Sequence, residues 1–198
     1  SGLDAMAGSS LLAAGFLVYL ADETEQVRAA MLDEWSEAFA QGQLLKPSAG
    51  TANGGSFAMQ TFLSTEGELL RWKGQGLPTD KLSAENAIVI LNSHYTPLII
   101  DPSSQATEWL KTNLSLGDKT IETLVPHEGR FATALELGVR FGKTLVIQEV
   151  DEIGAILVPL LRKDLFRQGP RHVIQVGDKP VDYAEGFRMY LATRNTNV

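Results

Sequence analysis

Pro97-Leu98-Ile99-Ile100-Asp101-Pro102-Ser103-Ser104-Gln105-Ala106-Thr107-Glu108 is the stretch that decides the fold. Its first four residues are a short apolar run closed by aspartate, as in a buried strand of a parallel sheet. Residues 105–114 then predict a helix, so the stretch reads strand, tight loop, helix. A phosphate-binding loop sits in that context: glycine amides cradle the phosphates, a lysine reaches them, and a Ser or Thr holds magnesium. Aligning the strand ends puts Asp101 at the first glycine, Ala106 at the second, Thr107 at the lysine and Glu108 at the Ser/Thr, with Pro102, Ser103, Ser104 and Gln105 between. The cation is gone. Two carboxylates, Asp101 and Glu108, flank a place meant for anions, and at low dielectric such repulsion costs several kcal/mol. The plainer local reading is an ordinary strand-to-helix turn in which Asp101 caps the helix.

Working outward, residues 120–125 predict a short strand and 130–141 a helix with Phe131, Leu135, Leu137 and Val139 as its apolar residues. Residues 144–147 are a second buried strand, followed by Gln148 and Glu149. A hydrophobic strand ending in two polar positions resembles a Walker B strand, but Gln148 stands where a magnesium-binding aspartate belongs. Glu149 takes the place of a hydrolytic base; without metal or phosphate it reads as a surface or interface carboxylate. Gly142-Lys143-Thr144 is a decoy: it follows a helix and opens a strand, the reverse of a phosphate loop, so Gly142 is read as a helix C-cap. Residues 156–168 predict a helix stopped by Gly169-Pro170. Residues 172–176 and 180–183 flank Gly177-Asp178-Lys179 as a β-hairpin. Residues 188–193 are a final strand, and Asn195 just beyond it stands at the position of a water-orienting sensor. Strands alternating with helices predict an α/β fold with a parallel sheet.

The N-terminal part differs. Residues 3–20 are Ala- and Leu-rich with little charge after Asp4, and their apolar residues surround the cylinder, which predicts a helix covered on all sides. Residues 22–41 form a second helix with Val27, Met31, Leu32, Trp35 and Phe39 on one face and Asp22, Glu23 and Glu25 in the first turn. Residues 47–56 (PSAGTANGGS) read as a flexible loop. Residues 57–72 resume a mixed helical pattern, and 81–91 form a short helix. The expected organisation is a helical lead-in over 1–76 and an α/β core over 77–198.

With 17 basic against 24 acidic residues, the net charge is -7, and no basic stripe appears, so nucleic-acid binding is not expected. The absence of cysteine excludes disulfides and thiolate metal sites. His94, His127 and His172 show no ligand spacing, so no metal site is assigned. The apolar stretch 11–20 is far short of the ~20 residues that span a bilayer. A soluble intracellular protein without membrane association is the expectation.

Residues 77–88 (LPTDKLSAENAI), 97–108 and 188–195 (RMYLATRN) together resemble dynein heavy chains, at the fifth AAA+ module of the motor ring. Residues 158–165, 168–171 and 174–179 look most like the intraflagellar-transport (cytoplasmic dynein 2) branch, and 10–16 look like the start of that module. The resemblance implies a P-loop-type AAA+ large subdomain with a parallel sheet of order 5-1-4-3-2 and flanking helices. It implies a non-catalytic module that relays conformational change between ring and stalk, with ATP and magnesium bound by other modules of the parent motor and no cofactor here. Implied partners are neighbouring AAA+ modules of the same heavy chain, and dynein subunits and microtubules through the parent. The implied locations are cytoplasm, cytoskeleton and cilium. The chain stops just past the sensor strand, so a following helix with an arginine finger and a small helical subdomain are expected to be missing. The alternative is an ATP-binding or hydrolysing P-loop NTPase domain with an unorthodox site built on Glu149.

Overall fold

A computed structural model describes residues 2–41, 57–117 and 120–196. The loop expected at 47–56 lies outside these residues. The chain packs as two compact units, Ser1–Ser93 and His94–Val198, so residues 77–93 group with the helices, whereas the sequence reading placed them with the α/β core.

The first unit holds α1 (Gly2–Tyr19), α2 (Glu25–Gln41), α3 (Met59–Leu63), α4 (Glu66–Gly74) and α5 (Lys81–Asn92). α1 packs on α2 and α3, and α3 on α5. Ser9, Leu12, Ala13 and Phe16 of α1 are buried, and burial of side chains such as Leu12 and Phe16 contributes about 1.5–3 kcal/mol each. Gly15 lets the Trp35 ring approach: a Cβ there would stand 2.9 Å from Trp35 Cζ3. The expectation that α1 is covered all round is corrected, because Met6, Leu11, Val18 and Tyr19 face solvent. The first turn of α2 contains Glu25 alone, with Asp22 and Glu23 in the preceding turn. Val27 is also exposed, and the stripe buried from α2 is Arg28, Leu32 and Ser36.

Arg28 ties the corner between α1 and α2. Its Nε donates to the Glu23 carbonyl at 3.0 Å and Nη2 to the Ala21 carbonyl at 2.7 Å. The guanidinium lies 5.4 Å from the Phe16 ring centroid, and Nη1 is 3.7 Å from Glu85 Oε2 on α5. Two caps mark the ends of α4. Thr65 Oγ1 accepts from the Glu68 amide and Glu68 Oε2 accepts from the Thr65 amide, a capping box. At the other end the Gly76 amide donates to Lys73 O and the Leu77 amide to Trp72 O, a Schellman turn that needs the positive φ of Gly76.

The second unit runs β1 (Leu98–Ile100), α6 (Gln105–Leu114), β2 (Ile121–Leu124), α7 (Phe131–Phe141), β3 (Thr144–Ile147), α8 (Val158–Arg162), β4 (Leu165–Gln168), β5 (Arg171–Val176), β6 (Lys179–Asp182) and β7 (Arg188–Thr193). β1, β7, β3 and β2 form a parallel sheet in that order, with Ile100 beside Thr193 and Ile147 beside Leu191. Counted along the chain, the parallel strands stand first, fourth, third, second. The described residues hold no fifth parallel strand, so the full order 5-1-4-3-2 is not established. β3 is central and buried along its whole length, as its uninterrupted apolar run requires. β1 is an edge strand, and the expectation that it is buried holds for Ile99 only; Leu98 and Ile100 are exposed.

A second, antiparallel sheet, β4-β5-β6, lies between α8 and β7. The hairpin around Gly177 and Asp178 is as expected. The expected helix over 156–168 is not: α8 lasts five residues, Lys163 turns left-handed (φ 53°), and Leu165–Gln168 pairs with β5. The core of this unit joins Leu145 and Ile147 of β3, Met189 and Leu191 of β7, Leu135 and Val139 of α7, and Ile174 and Val176 of β5.

Candidate functional site

The parallel strands β1, β3 and β7 all end on one side, where the loops after β1 and β3 meet the tail of β7. In open α/β sheets this is where ligands bind. The ladder continues one residue past β1, the Asp101 amide donating to the Thr193 carbonyl at 2.8 Å. The chain then turns sharply, with the Ser104 amide bonded to Asp101 O and Ser104 itself left-handed at φ 61°. Ser104 is the formal N-cap of α6 but its side chain makes no capping bond.

Asp101 does that work from three residues earlier. Its carboxylate Oδ2 accepts from the Thr107 amide at 2.8 Å and from Thr107 Oγ1 at 2.8 Å, while Oδ1 accepts from Ser103 Oγ at 3.2 Å. Both Asp101 and Thr107 are buried. Thr107 is the third residue of α6, so the carboxylate satisfies an otherwise orphaned amide at the positive end of the helix. The capping role expected of Asp101 is therefore observed, and two donors at the helix start are already occupied by an anion that belongs to the chain.

The space left is small. Asp101, Ser104, Thr107, Gln148, Glu149, Ala192, Thr193 and Arg194 line a cleft of about 30 Å³. That is room for about one water, against the roughly 300–1,000 Å³ of small-molecule sites. Of the sequence candidates, Asp101, Ser104, Thr107, Gln148 and Glu149 converge here. Pro102, Ser103 and Gln105 are exposed, Ala106 is half-buried, and none of them lines the cleft. Glu108 does not flank the cleft either, because it points outward and pairs with Lys111 on the next turn of α6.

After β3, Gln148 is half-buried and its amide donates to Leu124 O. Glu149 adopts φ 57°, a left-handed conformation disfavoured for residues with a side chain by about 1–2 kcal/mol. Its carboxylate reaches outward to lie 3.8 Å from His127 Nδ1, with both groups largely exposed. Asn195 does not line the cleft; its amide donates to Thr193 Oγ1 at 3.0 Å, and Thr193 Oγ1 donates to Asp151 Oδ1 at 2.7 Å. Thr193, Arg194 and Asp151 were not singled out as site residues in the sequence. Asp151 belongs to no motif, and the only available signal for Thr193 was its place at the end of the last strand. The decoy is accounted for: Gly142 is the left-handed C-cap of α7, and Lys143 Nζ holds Glu122 Oε2 at 2.9 Å. Among the described residues, no three His, Asp or Glu side chains gather in a group that could hold a metal ion.

A parallel sheet with a strand-loop-helix at its first strand and a polar pair after its third defines a nucleotide-loop type of α/β unit. Residues 70–198 match the family model described as the ATP-binding dynein motor region, and the chain belongs to that family. It is 52% identical over 186 residues to the cytoplasmic dynein 2 heavy chain 1 of Homo sapiens and 50% identical over 188 residues to that of Chlamydomonas reinhardtii, in each case across 94% of this chain. To the cytoplasmic dynein heavy chain of Dictyostelium discoideum it is 32% identical over 98% of its length. The chain spans 4% of the length of each of these relatives.

Proposed function

We propose that this chain is a non-hydrolysing structural module of a cytoplasmic dynein 2 motor, the fifth of its AAA+ ring, which passes rigid-body motion between ring and stalk. One observation carries the reading: the Asp101 carboxylate occupies both Thr107 donors at the start of α6, where a nucleotide phosphate would have to bind. The cleft of about 30 Å³ supports it, as does the absence of lysine at Thr107 and of a magnesium-binding aspartate at Gln148. The loop 101–108 is then a relic Walker A, Gln148-Glu149 a relic Walker B and Asn195 a relic sensor, with ATP and magnesium bound by other modules of the parent. A fifth strand beside β1, completing the order 5-1-4-3-2, belongs to the same proposal. So do neighbouring AAA+ modules and microtubules as partners, the latter through the parent, and a ciliary location. The test is Glu149→Gln in the full-length heavy chain, read as microtubule-stimulated ATP turnover. Turnover within twofold of the unmodified motor is expected, whereas a fall of tenfold or more makes Glu149 a working base and overturns the reading.

A further inference from the structure

The apolar residues of α5 leave its rotation poorly defined. Ala87, Ile88, Val89, Ile90 and Leu91 are consecutive, and at about 100° per residue they face almost every direction around the helix. Burial follows no single stripe either, since Ile88 and Ile90 are both buried and point to opposite sides. The helix that α5 packs on, α3, is five residues long and gives a short platform for choosing among those faces.

One polar contact breaks this degeneracy. Glu85 is 2% exposed and Arg28 3%, and carboxylate and guanidinium face each other across 3.7 Å. The contact is a poor source of stability. Neither Arg28 Nη1 nor Glu85 Oε2 makes a hydrogen bond among the described residues, and burial lifts the Glu85 carboxyl above its ordinary value against the pull of Lys81 and Arg28. Apolar side chains of similar volume in place of a buried ion pair are often neutral or stabilising, because two charges no longer leave water. Orientation is another matter. The bonds from Arg28 to the Ala21 and Glu23 carbonyls fix the guanidinium at the corner between α1 and α2, so Nη1 marks one point that Glu85 has to reach. A different rotation of α5 sets an apolar residue there and parts the two charges.

We infer that the Arg28–Glu85 pair is an orientation-selecting device, which holds α5 in one rotation against the other helices of its unit instead of adding to stability. This is independent of whether the loop after β1 binds nucleotide.

The test is the double substitution Arg28→Met/Glu85→Met in this chain, read by urea unfolding and by the amide proton–nitrogen NMR spectrum. Ala21 and Glu23 lie in a turn that reaches solvent, so water replaces the guanidinium at their carbonyls. The urea midpoint should stay within about 0.5 M of the unmodified chain or rise above it. The amide signals of α5 should at the same time double or broaden, as the helix samples more than one rotation. A larger fall in midpoint, or loss of folding, would make the pair a stabilising contact and overturn the inference. A single sharp set of α5 signals in the double variant would overturn it as well. Glu85→Gln keeps a polar head of the same shape opposite Arg28 and should retain one set of signals; splitting in that variant would equally contradict the inference.

Discussion

Asp101 places a buried negative charge at the start of α6, the end of the helix that favours an anion. Three donors from its own loop converge on it, and two belong to Thr107. Asp101→Ala should therefore expose an unsatisfied buried amide and hydroxyl and destabilise the chain by about 1–3 kcal/mol, read as a lower urea midpoint. Asp101→Asn keeps an acceptor for those donors and should lose less. A second residue-scale prediction concerns the ion pair of the helical unit. Burial raises the carboxyl of Glu85 above its ordinary value, outweighing the attraction of Lys81 and Arg28. For an acid raised in the folded state, its titration contributes stability that is fully present below its ordinary range and is lost as pH rises through the folded value. Wild-type stability measured against Glu85→Gln should consequently fall on going from acid to neutral pH; a difference that rises with pH contradicts this. Arg28→Ala leaves the buried Glu85 carboxylate with the half-exposed Lys81 ammonium, 3.7 Å away, and should destabilise the chain by at most about 3–5 kcal/mol. That Arg28 is buried was hard to read from the sequence, because a long cation normally signals the solvent face. Its spacing of four and eight from Leu32 and Ser36 was the available clue.

Among the elements, α7 and β3 illustrate how a glycine fixes packing. A Cβ on Gly138 would stand 2.7 Å from Leu145 Cδ1, in the middle of the core. Gly138→Ala gains about 1 kcal/mol of helix propensity. Overpacking costs about 1–3 kcal/mol, so a net loss of thermal stability is expected in a melting experiment. The strand-loop-helix at residues 97–114, the central strand β3 and the hairpin β5-β6 were legible because each is announced locally, by an apolar run or by turn residues. The strand β4 was not. Leu165 and Phe166 continue the apolar residues of α8, and periodicity cannot reveal that the backbone of 165–168 finds its partners in β5. The reversal depends on Lys163 in a left-handed conformation, which nothing in its identity advertises. The same limit applies at the site. Thr107 and Gln148 stood out as missing ligands, but the bond from Thr193 to Asp151 joins residues 42 apart and has no motif.

For the whole molecule, the family description says ATP-binding, while the local chemistry after β1 reads as a site filled from within. The two agree if the family's fold has been kept in this chain for its shape, with Asp101 holding the loop in place of a phosphate. If the chain is the non-hydrolysing module proposed above, the cleft after β1 does not accept nucleotide. Isothermal titration of magnesium-ATP into this chain tests it most directly: no saturable heat is expected up to millimolar nucleotide, and saturable binding at micromolar concentration with Asp101 intact would contradict it.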